Sequence, residues 1–468
     1  MRKQWGALRQ RAYRFQDGPE HSKQYWLRWI CLGQGLPQNY FARGGPIQYP
    51  VSTQLRAGKL TTYEEGTMEK AYKVRATGCD HQASRDEIYQ TLKSITAPLS
   101  RSWEKIENAR KILIKVNMQM RTQNIRRIGG RRQELVDDDV LHSSLRLLRE
   151  RTDAEISVLD TDIVAPNGEP GETFNMRPLF EEFGIPPIEA GMPPFERYQV
   201  PGGGLMFSTY QLSAAIAEAD AFISIAKMKN HAFMGITLCL KNLFGLPPTQ
   251  PHGRIRTYFH HPVRLSYVLP DLGLITQPCL NIIDGLTGQA RMEWGGEGRI
   301  CDTLIAGDHI IATDACGHHL MGTDPHLDWP TPPFRRDRSP IAVAAEHGFG
   351  TVDLEEIDFD KGDLQVPVAE FDSQELDPTE SIAQLRRTTA EQGLFYRDNR
   401  EQLAARYKGS FIYLREGEVV WSGGDPQQAG GIPQLAGEKK GQALFLKLAD
   451  PDEQEGEHTE VYEKILAA

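Results

Sequence analysis

The stretch AFISIAKMKNHAFMGITLCLKNLFG places Lys227, Lys229 and His231 directly after a short apolar run, and adds Thr237, Lys241 and Asn242 shortly afterwards. An ammonium group at the end of an apolar strand costs several kcal/mol to bury unless an anion meets it. Each of these lysines therefore needs a carboxylate or a ligand. The pattern recurs: KILIKVN delivers Lys115 and Asn117, AEISVLD delivers Asp160, and CLNIIDG delivers Asp284. Ligands of open α/β sheets bind in the crevice outside the carboxyl ends of the strands, where following helices point their positive ends. Two outcomes are open. The cations can pair with Asp160, Asp284 or Asp314 as internal salt bridges, or they can converge on a small anionic ligand, a carboxylate or a phosphate. A lysine crowded by other cations sheds its proton more readily and can serve as a base, and His231 can move a proton near neutral pH. On the ligand reading the candidate catalytic groups are Lys227, Lys229, His231, Lys241 and Asp284. The candidate substrate-binding groups are Lys115, Asn117, Thr237, Asn242, Asp160 and Asp314.

A divalent metal is a further possibility, because histidines stand at His231, His252, His260, His261, His318 and His319. No H-E-x-x-H pair occurs, so a metal site has to be assembled from distant loops, for example from His231, His260 or His261, and Glu293, with His231, His261 and Glu293 the set favoured. The cysteines never form C-x-x-C, which argues against iron–sulfur, zinc-ribbon and thioredoxin-like chemistry. Phosphate-loop, dinucleotide and serine-hydrolase signatures are missing too, so no nucleotide cofactor of a familiar type is expected. The glycine-rich RMEWGGEG can bring backbone N–H groups close to a ligand. Arg121, Arg126, Arg127, Arg131 and Arg132 form a basic loop that suits phosphate or RNA. The bland reading is a solvated loop offset by Glu134 and the following aspartates, and no aromatics are interleaved to stack bases.

Composition sets the wider limits. With 468 residues, 40% apolar and 25% charged, the chain is a globular protein rather than a disordered one. A net charge of −10 disfavours wrapping nucleic acid. No apolar run approaches the about 20 residues of a membrane span, and the opening residues lack a secretory apolar stretch, so a cytoplasmic protein is expected.

The elements that must position these groups read as α/β: a mostly parallel sheet flanked by helices, with an irregular N-terminal extension and a small α+β C-terminal module. The expected division is 1–70 for the extension, 71–370 for the core and 371–468 for a helical linker plus module. The extension covers a hydrophobic edge, or docks a protein partner or second copy. Strands are expected at 71–76, 111–116, 154–160, 221–226 and 279–284, and helices at 86–95, 213–219 and 311–321. Asp137, Asp138 and Asp139 cap a helix carrying Leu141, Leu145 and Leu148. A long helix spans 379–406, a hairpin turns at Glu416-Gly417, a strand follows at 443–449, and the acidic DPDEQEGEHTE is a solvated tail.

In this order ILIKVN, ISIAKMKNHAFMGITLCLKNLFG, IIDGLTG with RMEWGGEG, AGDHIIATDACGHHLMG and AAEHGFG resemble the blocks of the domain of unknown function 362 family, over about 71–363. The resemblance implies a site at Lys115, Asn117, Lys227, Lys229, His231, Thr237, Lys241, Asn242, His261, Asp284, Glu293, Gly307 and Asp314. It assigns no general reaction. Some members carry a ferredoxin-like cysteine-rich domain, whose cysteines this chain lacks, so no iron–sulfur cluster is expected. The layout is also loosely similar to lactate racemase, which implies isomerase-type proton or hydride chemistry. KGSFIYLREGEVVWSGGD is similar to a short module of assorted prokaryotic proteins, which implies a prokaryotic origin. The expected function is thus an enzyme acting on a small anion. The alternative is a non-catalytic protein that binds RNA or a partner through the 121–132 arginine loop and its terminal extensions.

Overall fold

The computed structural model describes residues 71–162, 173–249, 256–374, 377–429 and 444–467. The N-terminal extension and His252 lie outside the described residues. Strands with apolar residues on both sides, such as KILIKV, can only be stable when covered on both faces, and that is where the chain puts them. The strands are β1 (Tyr72–Gly78), β2 (Lys111–Val116), the short pair β3 (Arg127–Ile128) and β4 (Arg131–Arg132), β5 (Glu155–Asp160) and β6 (Pro187–Glu189). After the hairpin β7 (Phe195–Gln199) and β8 (Thr209–Ser213) come β9 (Ala221–His231), β10 (Gly235–Thr237), β11 (Leu280–Ala290), β12 (Glu297–Gly307) and β13 (Ile357–Asp360).

The central sheet has nine strands in the order β13-β1-β12-β11-β9-β2-β5-β6, with β10 paired to β9. Along that path β12 runs antiparallel to its neighbours β1 and β11, and the other pairs are parallel. Helices Arg85–Thr96 and Asp138–Arg151 bury Leu92, Leu141 and Leu145 against Ile112, Ile114, Ile223 and Ile225 on one face. Asp137 caps the second helix by accepting from the Asp139 N–H, as its sequence suggested. Helices Leu265–Thr276, Ile310–Leu320 and Pro340–Glu346 cover the other face, over Leu113 and Phe222.

Beyond the sheet the expected long helix is interrupted at Asn399, giving Thr379–Asp398 and Arg400–Tyr407. The hairpin β14 (Phe411–Arg415) and β15 (Glu418–Gly423) turns at Glu416 and Gly417, whose φ angles of 49° and 79° are left-handed. Glycine adopts that region freely. Strand β16 (Phe445–Leu448) completes a sheet of order β15-β14-β16. Its inner residues Phe411, Leu414 and Leu446 share one buried cluster with Tyr258 and Leu269 of the core.

The acidic tail is not solvated throughout. Lys447 is buried among Glu453, Glu455 and Glu457, and fully buried Arg264 reaches Glu457 Oε1 at 2.9 Å. Lys447 close by and Arg264 from far along the chain draw these carboxylates inside, and the second of these a local window of sequence does not reveal.

Candidate functional site

Alternation along the strands separates the lysines. Ile225 packs on the first face and Leu113 on the second, so Lys227 projects to one side of the sheet and Lys115 to the other. Each then meets its own acid. Lys115 Nζ lies 3.0 Å from Asp160 Oδ1 and donates to Asn242 Oδ1 at 3.0 Å. Asn242 in turn donates to the Lys115 and Ile225 carbonyls. Lys227 Nζ lies 3.0 Å from Asp284 Oδ2, donates to Thr287 Oγ1, and both partners are fully buried. Asp284 also accepts the Asp137 and Leu286 N–H groups. For these two lysines the salt-bridge outcome is the one the chain adopts, and Lys115, Lys227, Asp160, Asp284 and Asn242 are internal struts.

Gly245 allows the first strut to close. A Cβ there would stand 2.3 Å from Asp160 Oδ1 and 2.4 Å from Lys115 Cε. Gly245→Ala is accordingly expected to destabilise by about 1–3 kcal/mol, measured by urea unfolding. An unchanged midpoint would refute this packing.

Past Ile225 the edge of β9 changes owner. β2 ends at Val116, and β10 takes its place, so that Thr237 stands opposite Lys229. β11 bulges and then sets Gln289 beside the same lysine. The residues at this crest differ from the struts. Lys229 is 2 % exposed, donates to the Glu134 carbonyl at 2.7 Å and lies 4.7 Å from the centre of the Trp294 ring. Burial brings its pKa down to about 8. Lys241 is 8 % exposed, its ammonium 4.8 Å from the Phe244 ring, and among the described residues it has no ion pair or hydrogen bond. Burial, then the charge of Arg256, holds it well below the usual lysine value. The Arg256 guanidinium lies 4.3 Å from the centre of the same ring.

His231 is neutral here. Its Nδ1 accepts the N–H groups of Phe233 and Met234 at 3.0 and 3.1 Å, which an imidazolium cannot do. The proton therefore sits on Nε2, and burial followed by the charge of Lys241 keeps the ring far below its ordinary pKa. Glu293 Oε2 lies 3.6 Å from Nδ1 but accepts the Ala232 N–H. His260 lies 6.5 Å from His231, ring to ring, and is brought down to about 3 by burial and by Lys241.

The remaining expectations divide. His261 turns away from His231 and Glu293, its nitrogens facing the Pro262 and Leu444 carbonyls, so the structure does not assemble the three-ligand metal set. Among the described residues, the group whose ligand atoms converge is Asp80, His81 and Asp302, where His81 Nδ1 is already 2.8 Å from Asp302. Asp314 accepts the Cys239 and Leu240 N–H groups and so starts the turn that carries Lys241; burial raises it to about 7. Asn117 Oδ1 and Thr237 Oγ1 are buried without a hydrogen-bond partner among the described residues. Gly295 of the glycine-rich loop donates to Glu134. Four of the five arginines of the loop are paired with acids: Arg126 with Glu134, Arg127 and Arg132 with Asp138, and Arg131 with Asp137 and Asp139. A hollow of about 380 Å³ lies at the other end of the sheet, by Arg101, Lys105 and Asp220, and another of about 320 Å³ by Arg177 and Phe180. Sequence reasoning missed Arg256 and Trp294, because single residues in polar loops carry no pattern.

A mostly parallel α/β sheet with cations at the carboxyl end of its central strand defines the class. Residues 112–319 match the model of the domain of unknown function (DUF362) family. The match is narrower than the 71–363 expected from the blocks. Among curated proteins, the chain is similar to the thylakoid-associated protein sll1697 of Synechocystis sp., with 26% identity over 154 residues. That alignment covers 32% of this chain and 45% of the relative, so the chain spans less than half the relative's length. No solved structure matches. No helix among the described residues is long and apolar enough to cross a membrane.

Proposed function

We propose that the chain is an enzyme that binds a small oxyanion, a carboxylate or phosphate, at the crest of β9. Lys229 and the protonated form of Lys241 neutralise the ligand, and the His231 Nε2–H exchanges a proton with it. One observation carries the reading: a buried lysine whose neighbours Arg256, Lys229 and Lys115 are cations, and which has no ion pair among the described residues. Uncompensated buried charge is costly and is relieved when an anion arrives. Perturbed titration in such a cluster is a pointer to function. The mostly paired arginine loop gives the RNA reading no comparable support. The setting proposed is cytoplasmic, with association with a thylakoid as the alternative that the relative's name brings in.

Lys241→Ala tests this by thermal unfolding with and without sulfate, phosphate and oxalate. Lys241 holds no carboxylate among the described residues, so the variant should melt close to the parent while losing the anion-dependent rise. A variant that melts well below the parent without anions would show that Lys241 is a structural strut instead.

A further inference from the structure

Around the Lys241 amine stand three cations, Arg256 from the helix Arg256–Phe259, Lys229 from β9 and Lys115 from β2, and the carboxylate Glu293 of the glycine-rich loop. The imidazoles of His231 and His260 beside them are neutral. Asp160 of β5 faces Lys115 and Arg256, and the Glu134 side chain faces Lys229. Thr237 gives a second, independent pointer to a ligand. It stands opposite Lys229 in the β9–β10 register and four positions before Lys241, is 5 % exposed, and its Oγ1 has no hydrogen-bond partner among the described residues.

Several amines this close cannot all hold their protons away from water, and the least costly relief is for one to lose its proton. A bound anion reverses the balance by restoring a partner for the charged form. Resting on the oxyanion reading of this site, we propose that anion binding at the crest is coupled to uptake of one proton by the Lys241 amine. The balance is simple: a solvent proton is transferred to Nζ, the neutral amine becomes an ammonium, and it pairs with the arriving oxyanion; no other bond changes. Lys241 is the group selected because Lys115 already holds Asp160, Lys229 already holds the Glu134 carbonyl, and His231 Nδ1 is occupied by two backbone donors. The direction of its displacement, downward, agrees. The sign follows: affinity is highest at low pH and falls as pH rises, by up to about tenfold per unit in the linked range.

The experiment is calorimetric titration of the full chain with sulfate and, separately, oxalate, neither of which titrates near neutral pH, in two buffers of different ionisation enthalpy. The expected result is heat that depends on the buffer, corresponding to uptake of about one proton per anion. Preference between the tetrahedral and the planar anion distinguishes a phosphate site from a carboxylate site. Lys241→Arg carries a permanent charge and should bind the same anion with buffer-independent heat. Binding with equal heats in both buffers for the parent chain overturns the coupling and leaves the oxyanion reading standing. Buffer dependence that survives in Lys241→Arg overturns the assignment to Lys241. No binding of either anion by the parent chain overturns the oxyanion reading and the coupling with it. If Lys241→Arg fails to fold, the pH dependence of the parent's affinity decides, and a flat profile overturns the proposal.

Discussion

Lys227→Met is expected to lower stability by about 3–5 kcal/mol, because it leaves the Asp284 carboxylate buried without its counter-ion. Both members of the pair are 0 % exposed, at 3.0 Å, so no solvent softens the loss. Asp284 keeps the Asp137 and Leu286 N–H groups, which is why replacing it with an apolar residue would orphan two backbone donors. Burial raises the Asp284 pKa against the pull of Lys227, so in Lys227→Met the acid should unload its cost by taking a proton, and the deficit should shrink toward acid pH. The double variant Lys227→Met with Asp284→Asn keeps an acceptor, removes both charges, and should recover most of the loss. Urea unfolding of the single and double variants measures this. Equal stability of Lys227→Met and the parent would mean that the pair is not the strut described above.

Arg264→Met should have an effect of the same size, about 3–5 kcal/mol, but concentrated at the C-terminal end. The guanidinium is fully buried, stacks 4.5 Å from Tyr258 and 4.4 Å from Phe445, and donates to Glu457 and to the Leu446 carbonyl. Without it Lys447 alone faces Glu453, Glu455 and Glu457. The tie between helix Leu265–Thr276 and β16 is then lost, and the apolar cluster is left holding repelling carboxylates. Hydrogen exchange should rise across 444–467 well before it rises in the central sheet. Exchange that rises uniformly over the whole chain would contradict a local latch.

The fold was largely legible because its strands announce themselves: KILIKV, ISVLD and AFISIA have no polar face and must be covered on both sides. Their ends were less so. β9 continues five residues past Ala226 to His231, since Lys227, Lys229 and His231 alternate with Met228 and Asn230, and polar alternation at a strand end looks like a loop until β10 and β11 pair with it. The need of Lys115 and Lys227 for acids was readable from residue type, and Asp160 and Asp284 were among the partners named. That the two lysines face opposite sides of the sheet follows from alternation once register is known, and register comes from pairing across long separations. The convergence of His231, His261 and Glu293 failed for the same reason: the ring of His261 answers to Leu444, far along the chain, rather than to its neighbours. The burial of Glu455 and Glu457 likewise depends on Arg264 and Lys447, which an acidic composition cannot disclose.

The most direct test of the central claim is a structure of the full chain crystallised with oxalate or sulfate. The account predicts an oxyanion within about 2.7–3.2 Å of Lys241 Nζ, beside Lys229 and Thr237. An anion found instead only at the far hollow by Arg101 and Lys105, with Lys241 paired to a carboxylate of the protein, would contradict it.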